Sequence, residues 1–286
     1  MKKLLILSGK GGTGKTTTAA AFVRFSNAKA VSDCDVDAPN LHLVMAEKNA
    51  PDVSTFLGGD KAYVDAETCI GCGKCFEKCR FGAIKKQGDK YFSDVYACEG
   101  CGVCAYVCPA GAVTMKTDVA GEQQLYRHDR VFSTATLKMG RGNSGKLVSS
   151  VKKAMTENAK EAELAIIDGS PGIGCPVIAS ISGVDLVLIV AEPSLSGKSD
   201  LIRIVKTARQ FMTQVCVCIN KADTSPENTA DIKAFLEKED IPFVGEIPYD
   251  KKAAEANNTG KSVAEIDCPA REALRKVYEK TSLLLG

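Results

Sequence analysis

Lys3-Leu4-Leu5-Ile6-Leu7 runs without a break into Ser8-Gly9-Lys10-Gly11-Gly12-Thr13-Gly14-Lys15-Thr16-Thr17, and an alanine-rich stretch from Thr18 to Phe25 follows. A short apolar strand, a glycine loop and a helix in that order form the setting in which G-x-x-x-x-G-K-[ST] binds a nucleotide phosphate. Glycines let backbone N–H groups turn inward around phosphate oxygens, and the helix N-terminus adds the positive end of its dipole. Gly9, Lys10, Gly11, Gly12, Thr13, Gly14, Lys15, Thr16 and Thr17 are therefore expected to surround the phosphates. Lys15 is expected to reach the β- and γ-phosphates, and the Thr16 hydroxyl to hold Mg2+. A plain glycine-rich turn is the bland alternative, but the full pattern between a strand and a helix is too rare by chance to favour it.

The whole chain bounds what surrounds that loop. Its 286 residues suit one large domain, or one domain carrying a smaller one. An apolar content of 45% and a charged content of 25% match an ordinary soluble globular protein with a sizeable core. A net charge of +2 gives no electrostatic reason to expect nucleic acid or an anionic membrane as partner. The opening apolar run is too short for a signal peptide, and no uninterrupted apolar stretch is long enough to span a bilayer. Of the 13 cysteines, eight crowd between Cys69 and Cys108 at metal-ligand spacing. That arrangement argues for a reducing, cytoplasmic compartment and bound metal rather than disulfides.

Outward from the loop, Lys29 to Asp33 reads as a second strand, ending in Asp33-Cys34-Asp35-Val36-Asp37-Ala38-Pro39-Asn40. Breakers at Asn49-Ala50-Pro51 and Gly58-Gly59-Asp60 mark the entrance to a cysteine-, glycine- and aromatic-rich module running from about Lys61 to Lys116. Beyond Val119 the pattern resumes, with apolar strands at Leu164–Asp168, Asp185–Ala191, Gln214–Asn220 and Phe243–Ile247. Helical patterns fall at Lys146–Lys160, Lys198–Phe211, Pro226–Lys238 and Pro269–Leu285. Continuous apolar runs alternating with helices imply a doubly wound α/β fold with a mostly parallel sheet. The expected domains are 1–60 with 117–286, interrupted by 61–116.

In such sheets, ligands sit beyond the carboxyl ends of the strands. Asp33, Asp35 and Asp168 all stand there. Asp168, opening Asp168-Gly169-Ser170-Pro171-Gly172, has the strand-then-carboxylate form expected on the magnesium side, and Asp33 is assigned with it. Asp35 lies two residues past its strand, placed to orient water at the γ-phosphate. A lone aspartate at a strand end usually caps a helix or solvates a turn. Beside a complete phosphate loop, the functional reading is preferred.

Lys10-Gly11-Gly12-Thr13-Gly14-Lys15-Thr16-Thr17 is similar to the deviant phosphate loop of the MinD/ParA/Mrp family of ATPases, which are related to the nitrogenase iron protein. Asp33-x-Asp35 with Pro39-Asn40-Leu41 resembles that family's switch I. Asp168-x-Ser170-Pro171-Gly172 resembles its D-x-P-P-G switch II box, with Ser170 in place of the first proline. The resemblance covers essentially everything outside the insert. It implies an ATP-bound homodimer, or a pair with a paralogous subunit, in which Lys10 reaches the partner's phosphates and Asp35 activates water. It also implies base contacts near Asn220 and within Gly245-Glu246-Ile247-Pro248-Tyr249-Asp250, at Pro248 and Asp250 in particular.

The insert repeats itself. Cys69-x-x-Cys72-x-x-Cys75-x-x-x-Cys79 realigns on Cys98-x-x-Cys101-x-x-Cys104-x-x-x-Cys108-Pro109. Two-residue gaps let three thiolates converge on one iron–sulfur cluster, while the fourth is directed to the other. Cys69, Cys72, Cys75 and Cys108 are thus expected to hold one [4Fe–4S] cluster, and Cys98, Cys101, Cys104 and Cys79 the second. Four-thiolate zinc is the rival, but zinc sites usually pair two well-separated CxxC motifs rather than repeating a run of four. The stretch from Tyr63 to Met115 resembles an eight-cysteine bacterial ferredoxin domain, a small α+β fold, with Arg80 where a proline is expected after Cys79.

Cys34 is expected in an exposed switch loop, Cys216 and Cys218 inside a buried strand, Cys175 just after the switch II box as a candidate ligand for a substrate cluster, and Cys268 before the last helix. His42 and His128 match no motif. The terminal helix lacks a dense basic face with bulky aromatics, so packing on the sheet is expected rather than stable membrane insertion. Together these features predict an ATPase that uses ATP, Mg2+ and two [4Fe–4S] clusters and acts on an acceptor redox or metallocluster protein. It would deliver low-potential electrons or assist cluster assembly. A MinD/ParA-type spatial-positioning ATPase is the alternative, and it leaves the clusters without a task.

Overall fold

The computed structural model describes residues 1–45 and 49–286. It divides into two units, one of Met1–Ser54, Gln123–Thr136 and Ser144–Gly286, the other of Thr55–Glu122 and Leu137–Asn143. The first half of the chain gives β1 (Lys2–Leu7), α1 (Lys15–Ser26), β2 (Ala30–Asp33), α2 (Leu41–Val44), β3 (Asp52–Val64), α3 (Lys74–Lys78), β4 (Ile84–Gln87), β5 (Lys90–Ser93), α4 (Val103–Tyr106), β6 (Val113–Arg127) and β7 (Val131–Leu137). The second half gives α5 (Ser144–Asn158), β8 (Leu164–Asp168), α6 (Cys175–Ile181), β9 (Leu186–Ala191), α7 (Leu195–Gln210), β10 (Gln214–Asn220), α8 (Pro226–Lys238), β11 (Phe243–Ile247), α9 (Lys251–Asn258) and α10 (Pro269–Leu285).

In the first unit the strand order is β11-β10-β9-β1-β8-β2-β7. The core pairs are parallel: β1 with β8 and β9, β2 with β8 and β7, and β10 with β9 and β11. Strands covered by helices on both faces need apolar residues at every position, which is what Leu4–Leu7 and the wholly buried Leu186–Ala191 supply. Helix α1 buries Thr18 through Val23, and three consecutive alanines there let its backbone lie close to the strands. Helix α10 buries the stripe Ala270, Leu274, Val277 and Thr281 and meets α1 through an edge-on Phe22–Tyr278 contact at 5.1 Å. Its apolar face is therefore spent on the core. Among the described residues no helix is long and apolar enough to cross a membrane.

Register, more than composition, positions the site. Ile6 and Asp33 both stand level with Asp168, so the carboxyl ends of β1, β2 and β8 finish side by side. Strand β7 was not expected from the sequence. Its middle, Ser133-Thr134, is polar yet buried, which interrupts the apolar run that marks the other parallel strands. Helices α6 and α9 were missed because seven- and eight-residue helices carry too little periodicity.

The second unit is built around the cysteines. Its core contains Ala62, Ala83, Ile84 and Val113 together with Cys75, Cys98 and Cys104, and β4 and β5 form an antiparallel hairpin. It is larger than the 61–116 expected, because composition marks the cysteine run and not the strands β3 and β6 that enter and leave it.

Candidate functional site

Loop 8–14 leaves β1 at the point where β2 and β8 end, and α1 starts at Lys15. Gly14, at φ 95°, closes the loop against Asn220, whose Nδ2 would lie 2.2 Å from any Cβ built there. Two adjoining pockets share Gly12, Gly14, Thr17 and Asn257. One continues past Lys10, Lys15, Thr16 and Asp35 on the expected phosphate side, the other past Asn220, Pro248 and Asp250 on the expected base side.

Lys15 Nζ stands 2.8 Å from Asp168 Oδ1 and 3.8 Å from Asp35 Oδ2, with Thr16 Oγ1 at 3.4 Å. Burial works against its charge, but Asp168, Asp33 and Asp35 outweigh that and raise the lysine above its ordinary range. Asp168 is fully buried, and its second oxygen, Oδ2, has no hydrogen-bond partner among the described residues. A buried carboxylate oxygen without a partner, on a residue whose other oxygen pairs with the loop's Lys15, is a fitting seat for a divalent cation.

Asp33, expected as a magnesium ligand, holds its own loop in this structure. Its Oδ1 accepts the N–H of Asp35, and its Oδ2 accepts the N–H groups of Asn40 and Leu41, each at 3.0 Å. Both oxygens are spent pinning the loop that carries Asp35, the loop-holding role that strand-end aspartates commonly play. Burial, then repulsion from Asp168, pushes its carboxyl up to about 7. Burial likewise raises Asp35, which points at Lys15 from the loop that Asp33 pins.

Lys10 is tethered within its own chain. Its ammonium lies 3.0 Å from Glu192 Oε2, with Ser194 and Ser196 hydroxyls at 3.5 and 3.4 Å. Lys221 approaches the other Glu192 oxygen at 3.5 Å and donates to the Gly12 carbonyl. Burial pushes Glu192 up, but the two lysines hold it below the usual carboxylate range. Sequence reasoning missed Glu192 and Lys221. They follow β9 and β10 immediately, so the strand-end rule that found Asp168 points to them as well.

The two switch segments are joined directly. Cys34 N–H donates to the Asp168 carbonyl at 2.7 Å, and the Ser170 hydroxyl donates to the Cys34 carbonyl at 2.5 Å. Cys34 is fully buried rather than exposed, and burial pushes its thiol up to about 12, which keeps it protonated. Cys216 and Cys218 are buried in β10 as expected, and Cys175 is exposed at the start of α6.

In the second unit, Cys69, Cys72, Cys75 and Cys108 line one cavity, and Cys79, Cys98, Cys101 and Cys104 line another. The two cavities are alike in size, as two copies of one motif should be. Among the described residues no three Cys, His, Asp or Glu side chains close on a single-ion position. The glycine between the first two cysteines of each run is obligatory. Gly71 and Gly100 have φ of 69° and 70°, and a Cβ would meet the Asp89 and Asp60 carbonyls at 2.4 and 2.2 Å.

Comparison with known proteins decides the kinship. The family model for the CobQ/CobB/MinD/ParA nucleotide-binding domain matches residues 4–263. The chain belongs to that family. An uncharacterised protein of Methanocaldococcus jannaschii is 34% identical over 97% of this chain and 95% of its own length. An iron–sulfur cluster carrier protein of Pyrococcus horikoshii is 26% identical over 97% and 84%. Among solved structures, the septum site-determining protein MinD of Pyrococcus horikoshii, complexed with Mg-ADP, superposes with a TM-score of 0.61 at 16% identity. That match covers 100% of this chain and 97% of that one, and it establishes a likeness of fold.

Within this CobQ/CobB/MinD/ParA domain, two residues expected at the base serve the pocket wall. Asn220 Nδ2 donates to the Thr13 carbonyl at 2.7 Å and its Oδ1 accepts Lys221 N–H, while Asp250 caps α9 through Lys252 N–H and accepts Ala270 N–H. Pro248 lines the pocket. Asn257, missed with α9, donates to Thr17 Oγ1 at 2.6 Å and leaves its own Oδ1 buried and unpartnered in the cleft, a free acceptor for a nucleotide donor.

Proposed function

We propose that the protein is an ATP-hydrolysing iron–sulfur protein in which nucleotide-dependent pairing of subunits is coupled to low-potential electron delivery to an acceptor protein. The carrying observation is the partition of eight cysteines into two four-thiol cavities in a chain whose other unit is a nucleotide-binding domain. Each set combines three cysteines of one run with the fourth of the other, the donor set of a [4Fe–4S] cluster. When bound, two such clusters supply one-electron chemistry.

The cleft's charges fit Mg2+ and ATP. Asp168 Oδ2 and the Thr16 hydroxyl would hold Mg2+, which would neutralise charge on the phosphates. Lys15, now paired with Asp168, would turn to the β/γ-phosphates, and Asp35 would orient the attacking water. Lys10 would leave Glu192 for the phosphates of a partner subunit, so that charge stabilisation is complete only when two subunits meet. The insert is the next unit in the chain after the Asp35 loop and α2, which would give nucleotide state a covalent route to the clusters. Assembly of clusters on a partner is a second reading, favoured by the relatives named as iron–sulfur cluster carriers.

The test is anaerobic purification with iron, sulfide and zinc analysis, followed by potentiometry with and without ATP. Iron and sulfide in equal amount with an ATP-dependent shift in potential support gated electron delivery. Transfer of iron and sulfide to an apo-protein supports assembly. Zinc in place of iron, or potentials indifferent to ATP without any transfer, would sink the proposal.

A further inference from the structure

The internal repeat reaches further back than the cysteines. The offset that carries Cys69 onto Cys98 also carries Asp60-Lys61 onto Asp89-Lys90 and Asp65 onto Asp94. The two lysines are used crosswise. Lys61, from the first copy, donates to the carbonyl of Cys98 in the second, and Lys90, from the second, donates to the carbonyl of Cys69 in the first. Each ammonium is thereby fixed beside the opening cysteine of a different cavity.

The symmetry stops at burial. Lys61 on β3 is only 9% exposed, whereas Lys90 at the head of β5 is exposed. A cation shielded from water acts on its neighbours through a lower effective dielectric and is little screened by salt, while an exposed one is largely masked. Backbone donors are unequal in the same sense. Ala62 N–H points to Cys98 Sγ at 3.4 Å and Ala83 N–H to Cys79 Sγ at 3.3 Å. Among the described residues, the equivalent thiols Cys69 and Cys108 accept no such bond. The anions next in sequence, Asp60 beside Lys61 and Glu99 beside Cys98, are both exposed.

We propose that the two cysteine sets hold clusters of unequal reduction potential, the Cys79, Cys98, Cys101 and Cys104 set being the more easily reduced, and that Lys61 is the positioning residue that sets the gap. The inference rests on the iron–sulfur reading above. Reduction adds negative charge to a cluster, so a buried ammonium and N–H donors to the ligand sulfurs stabilise the reduced form and raise its potential. An electron entering the unit settles on that cluster first, which gives a symmetric-looking module a direction.

The test is a spectroscopically monitored redox titration of the full chain, purified anaerobically with both sites loaded. The wild type titrates in two separate steps, and Cys104→Ser removes the upper one. Lys61→Met lowers the upper step on the order of tenfold in the reduction equilibrium, about 59 mV for one electron, and leaves the lower step in place. Lys61→Arg restores it, and Lys90→Met moves the lower step by less. Coincident steps in the wild type overturn the proposal without recourse to any variant. So does an upper step unmoved by Lys61→Met, or one that survives Cys104→Ser. A chain with no iron refutes the iron–sulfur reading itself, and a chain with full iron but equal potentials refutes only the asymmetry.

Discussion

The nucleotide cleft and the cysteine unit solve the problem of holding charge in opposite ways. In the cleft, the two lysines of the loop are paired with carboxylates of the site: Lys15 with Asp168, Lys10 with Glu192. In the cysteine unit, every element occurs twice, and the cross-braces from Lys61 and Lys90 run to backbone carbonyls. Pairs of side chains can be exchanged for phosphate and metal without unfolding anything, whereas braces to the backbone hold the fold itself. The cleft is built to rearrange and the cysteine unit to stay.

That contrast breaks most visibly if the two regions are not independent. Lys15→Ala removes the phosphate-binding cation, and ATP turnover should fall at least about 100-fold, the scale seen when a preorganised electrostatic group is lost. Iron content should stay at the wild-type level. A variant that loses iron along with turnover would refute the separation. In the converse experiment, Cys104→Ser should halve the iron while ATP affinity stays within about twofold, measured by titration calorimetry under anaerobic conditions.

The same contrast explains what could be read in advance. The parallel strands around Asp168, the phosphate loop and the division of eight cysteines into two sets all rest on local patterns: apolar runs, glycines and fixed spacings. Strand β7 escaped because Ser133 and Thr134 are buried polar residues, a tertiary fact with no local mark. That Asp33 braces its own loop and Asn220 the pocket wall was not legible, because side-chain type does not reveal which hydrogen bonds the fold has already taken. Glu192 and Lys221 were legible by the strand-end rule and were overlooked. Lys61 and Lys90 lay inside a repeat that was traced from the cysteines and not followed upstream.

A smaller effect sharpens the picture of the cleft. Ser170 stands where the family's switch II box has proline, and its hydroxyl ties that segment to the Cys34 carbonyl between Asp33 and Asp35. Ser170→Ala leaves a buried carbonyl short of a donor, at a cost of about 1–3 kcal/mol in nucleotide-free stability by denaturant melts. Because the bond spans the two segments proposed to respond to the γ-phosphate, the variant should also change ATP-dependent pairing of subunits. Stability and pairing both unaltered would mean that the switches are not joined through this residue.

The smallest expected effect concerns Glu192. Its folded-state carboxyl sits below the ordinary 4.5, so the pairing with Lys10 and Lys221 contributes above that pH and is lost as pH falls through the lowered value. At neutral pH, Glu192→Gln should cost no more than a few tenths of a kcal/mol, because Lys10 is more than a third exposed and the pair is screened. The stability difference between variant and wild type should vanish under acid and shrink in high salt. Pairing of subunits should respond with the opposite sign. If Lys10 must leave Glu192 to reach a partner's phosphates, removing the competing carboxylate strengthens ATP-dependent dimerisation by about twofold, the equivalent of those few tenths. Weakened dimerisation would instead make Glu192 a group that aims Lys10 across the interface, and the cleft would then contain a fixed brace of the kind found in the cysteine unit.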